Sequence, residues 1–312
     1  LTNRYRVFSM TKVSVIIPTH NRAELLKTAI RSVCEQTYSD WEAIIIDDHS
    51  SDQTSEIVHA FQDDRIKYLQ NHGKSGPSTS RNLGISAAIG NYIAFLDDDD
   101  EWLPCKLEKQ LAILDKSPAS VCGIYSNRIK IDKHSGNTIS AHLNADTLRG
   151  NLLYQLMLKN PIATPTLVVR KSCLDEVGCF DENMSYMEDR DLWIRLALRW
   201  DFEYIDEALV KVFMHGNEHL SRDLLGQTQG RAILLNRYQD LLSKNRKKWA
   251  GLHVCQGAQY CQLGDMKQGR SNLFKGITIY PGYWLAYLHF FASLLGANIY
   301  NRIRSTFKTV SN

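Results

Sequence analysis

Paired cysteines are the first thing this sequence lacks. Its seven cysteines stand at positions 34, 105, 122, 173, 179, 255 and 261. The number is odd and no two have CxxC spacing, which argues against a disulfide-stapled scaffold and predicts reduced, mostly buried thiols in a reducing compartment. The 173/179 and 255/261 gaps have no histidine pattern beside them, which argues against a zinc site. A long apolar run near the start is also missing: Arg4 and Arg6 precede only Val13–Pro18, too short for a signal-peptide core. The chain starts at Leu1 and Met10 stands just before the first strand-like run, so residues 1–10 read as an N-terminal extension. Net charge of one sign is nearly absent, +3 over 312 residues. With 44% hydrophobic and 23% charged residues, the chain has the balance of a folded globular protein of about two domains.

The small net charge hides an asymmetry. From Arg231 to Asn312 there are twelve Lys or Arg against Asp240 and Asp265 alone, a net +10 that leaves −7 to the rest. An acidic body with a basic tail suggests metal or hydroxyl chemistry in the first and an anionic surface for the second. No zinc-finger, RRM or helix-turn-helix signal accompanies the basic residues, so nucleic acid is not expected as a partner.

Periodicity organises the first hundred residues. Val13–Pro18, Ala43–Ile46, Ile66–Leu69 and Tyr92–Leu96 read as strands. Between them, helical spacing covers Leu25–Val33, Ser50–Phe61 (with Ser51 or Asp52 as N-cap) and Pro77–Ile89. Strand and helix alternating in this way predict a doubly wound, mostly parallel sheet, whose ligands bind beyond the carboxyl ends of the strands. Those ends carry Thr19-His20-Asn21, Asp47-Asp48 and Asp97–Asp100. Farther on, Ser120–Tyr125 and Thr166–Val169 read as strands and Tyr186–Trp200 as a helix. From Ser221 the pattern is all helix, broken at Gly264-Asp265 and Pro281-Gly282.

Four consecutive aspartates and Glu101 after an apolar strand repel one another unless a cation sits there. Hard oxygen donors point to Mg²⁺ or Mn²⁺, which would also neutralise a diphosphate. Asp47-Asp48 can accept the imide N–H of uracil or a ribose hydroxyl, or can belong to a helix N-cap cluster. Gly73-Lys74-Ser75 is no Walker loop, because the glycine required five residues earlier is Tyr68. No GxGxxG follows a strand either. Arg81 can meet a phosphate or make a surface ion pair. Glu188-Asp189-Arg190-Asp191 reads as a general base or as acids placed at a helix N-terminus. Lys211–Asn217 ends a strand-like run with His215, and a lone histidine is more often structural.

Taken in order, Val13–Arg22, Ile44–Thr54, Arg81–Ile85, Gly90–Pro104 and Glu188–Arg195 resemble the motifs of the family 2 glycosyltransferases, over about residues 11–220. The resemblance implies a GT-A fold: Rossmann-like α/β with a mostly parallel sheet flanked by helices, and here a C-terminal all-helical extension. Its nucleotide-binding half would be about 11–103 and its acceptor-binding half about 104–220, followed by a basic helical region, 221–312. Asp48 resembles the family's uracil-contacting aspartate, and Pro18, Thr19 and Asn21 stand in its first nucleotide motif. Asp97 or Asp98 would lie near the ribose, with Asp99 as metal ligand. Arg81 resembles the basic residue of the diphosphate loop, and His215 a histidine beside the diphosphate and metal. Asp189 falls where the family places its base, with Glu188 the near alternative. The implied activity moves a sugar from a UDP-sugar to a hydroxyl of a glycan or lipid-linked acceptor with inversion, in cell-surface polysaccharide biosynthesis. The rival is a non-catalytic sugar-nucleotide-binding protein on the same fold. An Asp-nucleophile phosphatase would carry its acidic motif on the first strand, and here it follows the fourth.

The tail allows two readings. No Asp, Glu, Lys or Arg falls between Lys275 and Arg302, and Tyr283–Tyr300 is a marginal length for a spanning helix. His289, Ser293, Gly296 and Tyr300 make a weak polar stripe at helical spacing. Gly257–Ala292 also has the cadence of a tetratricopeptide-like hairpin. The favoured expectation is a cytoplasmic protein whose aromatic, basic end, residues 280–312, rests peripherally on the anionic inner face of the membrane.

Overall fold

The computed structural model of the chain describes residues 13–133, 135–140, 148–158, 160–214 and 223–307. The chain divides into two compact units, Leu1–Met184 with Glu188–Asn217, and Ser185–Met187 with Glu218–Asn312. His215, the N-terminal extension and the last residues of the tail lie outside the described residues.

The first unit is built on one mixed sheet. Strands β1 (Val13–Thr19), β2 (Trp41–Asp47), β3 (Ile66–Gln70) and β4 (Tyr92–Phe95) pair in parallel in the order β3-β2-β1-β4. β1, β2 and β4 are buried almost throughout, which is why they read as continuous apolar runs without alternation. Helices α1 (Ala23–Cys34), α2 (Thr54–His59) and α3 (Pro77–Ala87) make the crossovers. In α1, Leu26, Ala29, Ile30 and Val33 form a buried stripe at helical spacing. α2 starts at Thr54 rather than Ser50, behind a cap at Gln53 that makes no side-chain bond. Asp52 instead accepts from the Ala23 N–H and from Thr54, tying the start of α1 to the start of α2.

After β5 (Glu101–Trp102) and α4 (Lys106–Leu114) the sheet turns mixed. The further elements are β6 (Val121–Asp132), β7 (Thr138–Ser140), α5 (Leu153–Leu158), β8 (Val168–Arg170), α6 (Lys171–Val177), α7 (Glu188–Ala197) and β9 (Asp201–Met214). The order continues β4-β8-β6-β9-β5, with β7 on β6. β8 is antiparallel to β4 and β6, and β6 runs parallel to β9 through three register shifts. Gly123 sits where β6 approaches β8 so closely that a Cβ would stand 2.7 Å from the Val168 carbonyl oxygen.

The second unit is helical: α8 (Leu224–Arg237), α9 (Gln239–Leu242), α10 (Arg246–Gln262), α11 (Met266–Ile279), α12 (Trp284–Leu294) and α13 (Ala297–Phe307). Asp223, Asn245 and Asp265 cap α8, α10 and α11 by accepting backbone N–H bonds. α10 and α11 form the expected hairpin, turning at Gly264 with φ +89°. They touch at Gly269, where a Cβ would stand 2.2 Å from Cys261 Sγ. The polar stripe of the tail faces inward: His289, Ser293 and Tyr300 are buried, with His289 Nδ1 2.8 Å from the Tyr300 hydroxyl. Trp284, Phe291, Leu294, Leu295 and Ile299 are exposed instead. No helix among the described residues is long and apolar enough to cross a membrane.

Candidate active site

The parallel strands end together, and their carboxyl ends carry the polar residues. Asp48 N–H donates to the Thr19 carbonyl at 2.9 Å, and the Thr19 hydroxyl donates to Asp98 Oδ2 at 2.8 Å, so the ends of β1, β2 and β4 are stitched to one another. Asn21, at φ +52°, is an exposed latch: its N–H donates to Ser50 Oγ and its Oδ1 accepts from Ser51 N–H at 2.7 Å. Pro18 lies in β1 in register with Ile46 of β2.

The two carboxylates after β2 have different jobs, and neither caps α2. Asp47 accepts from Ser50 N–H and the Tyr68 hydroxyl. Asp48 gathers the loop before α3. It accepts from Asn71 Nδ2 at 2.7 Å, Ser75 Oγ at 2.7 Å and Gly76 N–H at 2.8 Å. Burial works against its charge, but these hydrogen bonds outweigh it and hold the carboxyl below the usual aspartate range. Gly76 has φ +141°, a conformation side chains rarely adopt, and its N–H is thereby turned onto Asp48.

The four aspartates after β4 diverge. Asp97 is the most open, with a third of its side chain exposed. Asp98 and Asp99 share Arg22, whose Nη1 lies 3.1 and 3.3 Å from their oxygens. Burial pushes Asp98 up to about 6 in spite of Arg22 and Thr19. Asp100 turns inward, accepts from Phe213 N–H at 3.1 Å, and is raised far above the usual range by burial and by Asp97 and Asp99. Glu101 pairs with Lys211 across β5 and β9 at 3.0 Å.

Arg81 is no surface ion pair. Its side chain is 9% exposed, donating to Asp97 Oδ1 at 2.8 Å and to Glu188 Oε1 at 3.4 Å. Contact with a phosphate would require it to exchange or share one of these. Glu188, the first residue of α7, is pushed up to about 7 by burial and by Asp189, against the pull of Arg81. Burial also raises Asp189, which accepts from Asn160 Nδ2 at 2.8 Å and from Arg190 N–H at 2.6 Å. Asp191, on the same helix start, has a structural task. It is fully buried, and it orients Arg195 at 2.9 Å, which donates to the carbonyls of Val177, Gly178 and Cys179. A second cation, the half-buried Arg128 of β6, feels Asp100 and Asp189, and desolvation lowers its affinity for the proton in spite of both.

Asp97, Arg81, Glu188 and Asp189 are therefore one charge cluster, assembled from β4, α3 and α7. Arg22, Arg128 and Asn160 join the site without having been singled out by sequence. Arg22 ends the run Val13–Arg22, which was a usable signal. Asn160 sits in a stretch without a motif, and Arg128 in a strand that reads only as apolar at its start. Among the described residues no group of three or more His, Cys, Asp or Glu is arranged to hold a metal ion. The donor chemistry at Asp97–Asp99 nevertheless fits a hard divalent cation: carboxylate oxygens crowded on one turn, two of them sharing a guanidinium that is half exposed.

Residues 14–178 match the family model described as glycosyl transferase family 2. An uncharacterized glycosyltransferase of Rickettsia conorii is 37% identical over 219 residues, 70% of this chain and 35% of its own length. The chain thus spans about a third of that relative. The GalNAc(5)-diNAcBac-PP-undecaprenol beta-1,3-glucosyltransferase of Campylobacter jejuni is 32% identical over 284 residues, 86% of this chain and 89% of the relative. Among solved structures, S. aureus TarS 1-349 in complex with UDP-GlcNAc superposes with a TM-score of 0.65 at 18% identity, covering 96% of this chain and 92% of that one. This likeness establishes the shared fold.

Proposed function

Since the chain belongs to glycosyl transferase family 2, we propose that its strand-end cluster moves a sugar from a UDP-sugar to a hydroxyl of a lipid-linked glycan, with inversion, in cell-surface polysaccharide biosynthesis. The observation that carries this reading is Arg81 holding Asp97 and Glu188 together at the ends of β4 and α7, with Asp189 beside them. Leaving-group charge and a base for the acceptor are the two needs of an inverting displacement, and this cluster has groups for both.

Donor binding falls to the first half. A carboxylate offers about four acceptor positions. Three of those on Asp48 take loop hydrogen bonds, and the half-exposed His49, 3.4 Å away, is the neighbour that a uracil imide would displace. Thr19 and Asn21 border the same end of the sheet, and Asp97 or Asp98 lies toward the ribose. Asp99 is the ligand for Mg²⁺ or Mn²⁺, which when bound neutralises the diphosphate leaving group. Asp189 is the base. Asn160 and Arg190 N–H fix its two oxygens, and burial raises its proton affinity toward that needed to accept a proton near neutrality. The Campylobacter relative's name gives an undecaprenol-diphosphate-linked glycan as its acceptor, which supports the same acceptor class here. An acceptor of that class favours a peripheral position on the inner leaflet through the exposed apolar residues of α12 and α13.

The test is transfer of label from UDP-glucose, UDP-GlcNAc and other UDP-sugars to undecaprenyl-diphosphate-linked glycans with Mn²⁺. The expected result is an elongated lipid-linked product of inverted anomeric configuration, lost in EDTA. Donor binding without transfer to any acceptor would favour the non-catalytic alternative, and preference for GDP over UDP in calorimetry would refute the role of Asp48.

A further inference from the structure

The helical unit carries an open-sided pocket of about 210 Å³ that takes no part in the strand-end chemistry. Trp249, His253, Gln256 and Tyr260 follow one another along α10 at i, i+4, i+7 and i+11, and this one helix face lines it. The Trp249 and His253 rings meet edge to face, with centroids 4.3 Å apart. Asn236 and Gln239, from α8 and α9, and Gln268 and Asn272, from α11, complete the wall.

Two buried acceptors at this cavity have no hydrogen-bond partner among the described residues: His253 Nε2 and Gln256 Oε1. Their other ends are already engaged. His253 Nδ1 faces Asn272 Oδ1 at 3.2 Å, so the ring proton sits on Nδ1 and Nε2 is left as an acceptor. Gln256 Nε2 donates to the Thr228 carbonyl at 2.8 Å, leaving its Oε1 as acceptor. Burial keeps His253 neutral. Native interiors rarely leave such groups unmatched, and a guest bearing hydroxyl donors would match them.

The rest of the lining narrows the class. Asn236, Gln239 and Gln268 offer an amide donor and acceptor each, which is the pairing pattern of a hydroxyl group, and Gln256 adds its Oε1. Trp249 and Tyr260 offer aromatic surface to a ring face. No carboxylate lines the cavity, so an amine or metal cation would be uncompensated, and Lys275 is the sole cation, too little for a diphosphate. The volume is below the roughly 300–1,000 Å³ of drug-sized sites and suits one ring. We propose that this cavity is a carbohydrate-binding site for a single uncharged pyranose unit, a hexose or N-acetylhexosamine, separate from the transfer site.

The experiment is saturation-transfer NMR and calorimetry on the full chain, without nucleotide or metal, using glucose, galactose, mannose, GlcNAc and GalNAc at millimolar concentration. At least one of them binds, UDP does not displace it, and the double substitution Asn236→Ala/Gln239→Ala weakens it about tenfold or more. Both side chains are exposed, so the fold does not depend on them. Binding of none of the five sugars, displacement of the bound sugar by UDP, or unchanged affinity in the double variant would each overturn the assignment.

Discussion

Arg81 is a buried cation facing two carboxylates, and removing water from that group sets the acidity of the whole cluster. Burial raises both Glu188 and Asp189, Asp189 adds to the rise of Glu188 and Asp97 to that of both, so each binds its proton at higher pH than an ordinary carboxylate. The sign for function follows: protonation removes the base, and the shift is upward. The kcat/KM for sugar transfer should therefore fall on acidification already above the ordinary aspartate range; a profile that falls only within that range would place the base elsewhere. Asp48 has the opposite sign, since three hydrogen bonds favour its charge. Asp48→Ala should weaken UDP binding by roughly ten- to a hundredfold in calorimetry, the scale of one hydrogen bond to a charged group. Unchanged UDP affinity would show that Asp48 only braces the loop at 71–76. Sequence pattern could single out Asp48, Asp97–Asp99 and Glu188-Asp189 because they follow strand ends or open a helix. The partners of those residues were not legible. Asn71 is 23 residues from Asp48 and Asn160 is 29 from Asp189, with no periodic relation to either.

At the level of elements, the buried parallel strands and the amphipathic α1 were legible because burial on both faces, or on one stripe, leaves a periodic trace. β9 was read only at its last few residues. It is 14 residues long, and its burial does not alternate, because its pairing with β6 shifts register. The start of α2 was misread because Asp52, a good capping residue, is committed to Ala23 across the fold. Close packing brings one element into the chemistry. At Gly84 of α3, a Cβ would lie 2.5 Å from Ile16 Cγ2 of β1, and Arg81 stands one turn earlier on the same helix. Gly84→Ala should destabilise the protein by about 1–3 kcal/mol through overpacking, in spite of alanine's better helix propensity. Denaturant unfolding measures this, and a variant as stable as the parent would mean that α3 slides without cost.

For the molecule as a whole, composition separates an acidic body from a basic tail, the pattern after Ser221 predicts the helices of the tail, and the helical unit has a hairpin where the glycine spacing suggested one. Facing could not be read there. The mixed residues of α12 and α13 turn His289, Ser293 and Tyr300 inward and leave Trp284 70% and Phe291 62% exposed. Exposed aromatics with Arg302 nearby suit the interface of an anionic bilayer, where each basic residue adds about 1 kcal/mol. Full-length protein should float with phosphatidylglycerol-containing liposomes at low salt, and Trp284→Ser/Phe291→Ser should reduce the bound fraction severalfold. Flotation that is absent, or indifferent to these substitutions, would leave the apolar face without a lipid role.

The account rests on Asp189 as the group that takes the acceptor's proton. The most direct test is the rate of sugar transfer from a saturating UDP-sugar by the Asp189→Asn protein, which keeps the size and the Asn160 contact position while removing basicity. The predicted result is a loss of about a hundred- to ten-thousandfold. A rate within a few-fold of the unsubstituted protein would contradict the account.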